Sequence, residues 1–118
     1  ALHTARDLDT LGIPVLLTVQ IDSVGRGDHV IPANVRSAVN FYQHDPLTIQ
    51  GRGSIHAGDP ARTKILGNFE MSYMGKTADP ASVSWVRRRF GGSHAAMEAD
   101  PVLWKQVERY IDDAIQTR

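Results

Sequence analysis

The spacing of apolar residues changes several times along the chain, and each change predicts a new element. Leu2, Ala5, Leu8 and Leu11 recur every three residues among Arg6, Asp7, Asp9 and Thr10, which predicts an amphipathic helix over residues 2–11 closed by Gly12. Through Ile13-Pro14-Val15-Leu16-Leu17-Thr18-Val19-Gln20-Ile21 the chain is then nearly continuously apolar before it reaches Asp22. A run of about seven such residues predicts a strand buried on both faces. Gly25-Arg26-Gly27-Asp28 follows as a polar loop, and Ile31-Pro32-Ala33-Asn34-Val35 predicts a turn or one short helical turn. Aromatic and β-branched residues in Ala38-Val39-Asn40-Phe41-Tyr42 predict a second strand, which Gln43-His44-Asp45-Pro46 ends.

Residues 47–62 carry Gly51, Gly53, Gly58 and Pro60 with few apolar neighbours, and predict a long irregular surface excursion. Lys64-Ile65-Leu66-Gly67-Asn68-Phe69 predicts a third strand, extended by the alternating Met71 and Tyr73 and broken at Gly75. Asp79-Pro80 is a helix start, with Asp as cap and Pro in the first turn, leading through Val83, Val86 and Phe90 to the stop at Gly91-Gly92. Asp100-Pro101 repeats the signal ahead of a final helix whose apolar face is Val102, Leu103, Val107, Tyr110, Ile111 and Ile115.

Helices alternating with apolar strands predict an α/β unit, part of a mostly parallel sheet flanked by helices. At 118 residues the length suits one domain. A helix leading directly into an apolar strand is half of a βαβ unit, so a preceding strand is expected upstream of Ala1, leaving the sheet open on that side. The absence of an initiator Met fits truncation or processing there.

Charge narrows the partners. Thirteen basic residues are balanced by thirteen acidic ones, which argues against a dominant nucleic-acid or anionic-membrane partner. No apolar run reaches the roughly 18 residues of a membrane span. There is no Cys and no histidine pair at i, i+4 spacing, so no metal site or other cofactor is expected, and the compartment is left open. Arg87-Arg88-Arg89 reads as a solvated helix face, and Arg26-Gly27-Asp28 as a chance match to a cell-adhesion tripeptide. Trp85, Trp104 and Tyr110 read as core or interface aromatics.

Chemistry concentrates at two places. Asp22 ends a strand where open α/β sheets carry their ligands, and His94 lies in a loop between Gly91-Gly92 and the terminal helix. In that order they match the acid and the base of a Ser-His-acid triad. The chain resembles the C-terminal half of an α/β-hydrolase of the lipase and esterase type. Val19-Gln20-Ile21-Asp22-Ser23-Val24 is similar to the acid-bearing strand end, and Ser93-His94 before a Pro-started helix to the histidine loop. Ile31-Pro32-Ala33-Asn34-Val35 with Val39-Asn40-Phe41-Tyr42-Gln43 resembles the stretch that follows the acid in some lipase-like members.

The resemblance implies that His94 is the general base, that Asp22 orients it, and that a small acyl compound is the substrate. Asp28 and, third, Asp45 are alternative acids. No Gly-x-Ser-x-Gly stands on a strand-to-helix turn: Gly91-Gly92-Ser93-His94-Ala95 lacks the last Gly and follows an Arg-rich helical stretch. The nucleophile is therefore expected upstream of Ala1, and the chain alone is expected to be catalytically silent, associating with the missing part of its own fold or with itself through the open edge. The alternative is a small non-catalytic α/β binding or interaction module in which Asp22 and His94 are structural.

Overall fold

The structure, a computed structural model, describes residues 1–43, 53–71 and 96–117. Helix α1 (Leu2–Thr10) leads into strand β1 (Val15–Ile21), and two short strands, β2 (Val30–Ile31) and β4 (His56–Ala57), flank the long β3 (Val35–Gln43) in sequence. Strand β5 (Lys64–Met71) and helix α2 (Pro101–Gln116) follow. The three long strands form a parallel sheet in the order β1-β3-β5, and β2 pairs with β4 in a second, two-stranded parallel sheet. The class is α/β with a mostly parallel sheet and helices.

Local chemistry explains the ends of both helices. At the close of α1, Gly12 adopts φ +69°, the Gly12 N–H donates to the Asp9 carbonyl and the Ile13 N–H to the Leu8 carbonyl, both at 2.9 Å. This double bond pattern around a left-handed glycine satisfies the last carbonyls and turns the chain into β1. Leu11 lies on that turn and is exposed, so the apolar stripe of the helix stops one turn earlier than its spacing suggests. At the start of α2 the Asp100 carboxylate accepts from the backbone N–H groups of Val102 (2.9 Å) and Leu103 (3.4 Å), with Pro101 in the first turn.

Strand β3 separates two cores. Its neighbouring residues Ala38 and Val39 point into different clusters, as a period of two requires. Ala38 packs with Leu2 and Ala5 of α1 and with Ile31, Val35 and Ile55. Val39 and Phe41 pack with Met97 and with Leu103 and Val107 of α2, against partly buried Leu17, Val19 and Ile21 of β1. Phe41, Phe69 and Tyr110 form an aromatic group on this side, the two phenyl centroids 5.5 Å apart.

Three expectations need correction. Strand β1 is not buried on both faces: Leu16 is 36% exposed, because among the described residues β1 pairs on one edge only. The stretch read as irregular holds strand β4, which pairs with Val30 and Ile31, while the turn expected over residues 31–35 forms just after them, the Val35 N–H donating to the Pro32 carbonyl at 3.0 Å. The apolar face of α2 is narrower than its sequence suggests: Leu103 and Val107 are buried, but Val102, Ile111 and Ile115 are exposed, as is Trp104, whose indole N–H donates to the Glu98 carbonyl. The helix expected after Asp79-Pro80, its stop at Gly91-Gly92, the Arg87-Arg88-Arg89 run and Trp85 lie outside the described residues.

Cap and core differ in weight. Leu103→Ala is expected to lower the unfolding free energy by about 2–5 kcal/mol through a buried cavity, and Asp100→Ala by about 1 kcal/mol through the lost cap. Urea unfolding of both variants checks the ranking.

Candidate functional site

Asp22 follows the last residue of β1, and its side chain is 1% exposed. Its backbone adopts φ +46°, in the left-handed region, and it is the one non-glycine with positive φ among the described residues. Its N–H donates to the Phe41 carbonyl at 2.7 Å, which carries the β1–β3 pairing one residue further. The carboxylate accepts a hydrogen bond at 3.2 Å from Nε2 of Gln43, the last residue of β3 and itself 1% exposed. A carboxylate removed from water in this way needs donors, and the neighbouring strand end provides one.

Asp28 is held differently. Its carboxylate accepts from the Ser23 hydroxyl, and its backbone carbonyl accepts from Gln20 Nε2 at 2.7 Å. A Cβ added to Gly25 would collide with the Asp28 carboxylate, so the 23–28 loop closes tightly around that group. The same loop is fastened to α1 by Arg6, whose guanidinium donates to the carbonyls of Gly27 (2.5 Å) and Val30 (3.2 Å). Arg26 is exposed but Asp28 is buried, so Arg26-Gly27-Asp28 is not displayed as a contiguous adhesive tripeptide. Asp45 and His94, with Ser93, lie outside the described residues.

One layer of polar residues escaped the sequence reading. Gln20, Asn40 and Asn68 lie opposite one another on β1, β3 and β5, forming a row of amides across the sheet. Gln20 reaches the 23–31 loop through the Asp28 carbonyl. Asn68 binds Ile55 twice, its Oδ1 accepting from the backbone N–H at 2.7 Å and its Nδ2 donating to the carbonyl at 3.4 Å, while Asn40 Nδ2 donates to Asn68 Oδ1 at 3.3 Å. Through Gln20 and Asn68 the backbone at Asp28 and Ile55 is bonded to this face of the sheet. A signal was present: Thr18, Gln20 and Asp22 alternate with Leu17, Val19 and Ile21, the pattern of a strand with one polar face.

Of the other histidines, His29 and His56 come together on the small sheet, with ring centroids 5.6 Å apart, whereas His3 is exposed and apart. His44 lies outside the described residues. Among the described residues no group of three or more His, Asp or Glu side chains is arranged to hold a metal ion, and no helix is long and apolar enough to cross a membrane. Compared with family models, with curated proteins and with solved structures, the chain has no significant match.

The contact between Gly25 and Asp28 is testable. Gly25→Ala is expected to cost about 1–3 kcal/mol through overpacking. Adding Asp28→Ala recovers part of that loss by removing the colliding carboxylate. A double-mutant cycle in urea measures the coupling.

Proposed function

We propose that this chain is the C-terminal portion of a serine hydrolase of the α/β-hydrolase type acting on ester or other acyl bonds, with Asp22 orienting His94 and the nucleophilic Ser supplied by residues that precede it. The carrying observation is the buried Asp22 carboxylate at the carboxyl end of a parallel strand, in a left-handed backbone and hydrogen-bonded from the adjacent strand end. Ligands of open α/β sheets bind at such strand ends, and unusual backbone angles at a non-glycine residue point toward function. The element order supports the same reading: a helix, three parallel strands adjacent in the order of the chain, and a terminal helix, with His94 between the last strand and that helix.

In such a site the histidine takes the proton of the serine hydroxyl as that oxygen attacks the acyl carbon, then returns a proton to the leaving group. The aspartate accepts a hydrogen bond from the other imidazole N–H, fixing the tautomer and stabilising the imidazolium. Asp22 suits this role better than Asp28 because it stands at the strand end itself, whereas the Asp28 carboxylate is enclosed within the 23–28 loop against Gly25 and Ser23.

Among the described residues β1 is paired on one edge and open on the other. Beside its open edge, Leu16, Leu17 and Val19 line a groove of about 390 Å³ with Ile111, Ala114 and Ile115 of α2. An apolar strand edge of this kind invites pairing with another strand. The alternative, a complete binding module, has in its favour the two cores on either side of β3.

Three outcomes are expected. In protein carrying the preceding residues, Asp22→Asn lowers kcat on a p-nitrophenyl ester by about 10⁴-fold, and Asp28→Asn changes it less than about tenfold; steady-state kinetics checks both. The isolated 118-residue chain shows no such activity, and ester hydrolysis by it that disappears on His94→Ala overturns the proposal. The isolated chain also self-associates on size exclusion, and Leu16→Lys, which puts a charge beside the open edge, shifts it toward monomer. A parent chain that is monomeric and unfolds cooperatively favours the binding module.

A further inference from the structure

We infer that Gln43 is a positioning residue for Asp22: its side-chain amide holds the carboxylate in the orientation from which it directs the histidine. This inference rests on the hydrolase reading for its catalytic meaning, but the pair itself is a feature of the fold.

Alternation assigns Gln43 to the side of β3 shared by Val39 and Phe41, the side covered by α2. The same alternation assigns Thr18 and Gln20 to the opposite side of the sheet, and regular strand backbone at residue 22 would send Asp22 there too. The left-handed backbone at Asp22 breaks that alternation, and the carboxylate meets Gln43 Nε2 at 3.2 Å. Two fully buried polar side chains from adjacent strand ends thus meet at the one strained non-glycine position among the described residues.

Energetics make the pairing consequential. A left-handed non-glycine backbone costs roughly 1–3 kcal/mol and persists only where its surroundings enforce it. The Asp22 N–H bond to the Phe41 carbonyl fixes the main chain, and the Gln43 bond fixes the side chain. An amide suits the second task. It donates to the carboxylate without bringing a positive charge, so this bond does not itself neutralise Asp22; a lysine or arginine in its place would compete with the histidine. Methionine at position 43 would conserve the length and lose the donor, whereas glutamate would set a second carboxylate against the first.

Two measurements on protein carrying the preceding residues test this. In ¹⁵N-labelled protein, one Gln43 side-chain amide proton is expected downfield and protected from exchange, and Asp22→Asn removes that signature. Unshifted, rapidly exchanging Gln43 amide protons in the parent overturn the pairing, whether or not the protein is a hydrolase. In ester hydrolysis, Gln43→Met is expected to lower kcat about 10- to 100-fold with KM nearly unchanged, as for an interaction that matters in the transition state. Gln43→Glu is expected to lower kcat further and to move the acid limb of the pH profile, while Gln43→Asn restores part of the loss. Gln43→Met with parental kcat, alongside an inactive Asp22→Asn, overturns the positioning role alone. Full activity in Asp22→Asn removes the hydrolase reading and leaves the spectroscopic result for the pair standing.

Discussion

Parallel pairing along both edges of β3 is the constraint on which the other contacts depend. Parallel strands cannot be joined by a tight turn, so each connection must leave the sheet and return over one of its faces. The chain resolves this asymmetrically. On one side α1 covers the start of the strands and loops cover the rest, held by Gln20 and Asn68; on the other, α2 and Met97 cover Val39 and Phe41. Because β3 is buried on both faces, an error in its register would displace both cores at once.

Much of this was legible in the amino-acid order. The capped ends of α1 and α2 follow from Gly12 and from Asp100-Pro101, and the three strands from their apolar runs, because these signals are local. What the sequence concealed was set by distant partners. Val30 and Ile31 are extended because His56 and Ala57 lie beside them, and Leu16 is exposed because no described strand covers that edge. The importance of Asp22 could be read from its place at a strand end, but its left-handed backbone and its bond to Gln43 could not. Both arise from the relative ends of β1 and β3, which no periodicity reveals.

The amide row shows why a polar residue within a strand is a poor guide to exposure. Gln20 and Asn40 are buried although their types favour the surface. Gln20 donates to a loop carbonyl and Asn40 to the Asn68 side chain, so part of the burial cost is offset by bonds with specific geometry, while Gln20 Oε1 is buried with no hydrogen-bond partner among the described residues. Apolar residues at the same positions would bury readily but would not choose one loop conformation over another.

The pairing of β3 with β5 slips by one residue between Ala38 and Val39, so that Ala38 stands opposite Ile65 while Val39 stands opposite Gly67. Leu66 is the extra residue, and it packs on the α2 side while Ile65 packs on the α1 side. In an unbroken register Leu66 would stand opposite Val39, Gly67 would take the place opposite Asn40, and Asn68 would be carried toward the apolar cluster around Phe41. Leu66 therefore acts as a phase shift between two halves of one strand: the first half is indexed to the α1 core, the second to the amide row and the aromatic group. Deleting Leu66 would leave the pairings from Gly67 to Met71 as they are, whereas forcing continuous pairing with Leu66 retained would exchange the inner and outer faces of everything from residue 67 to residue 71.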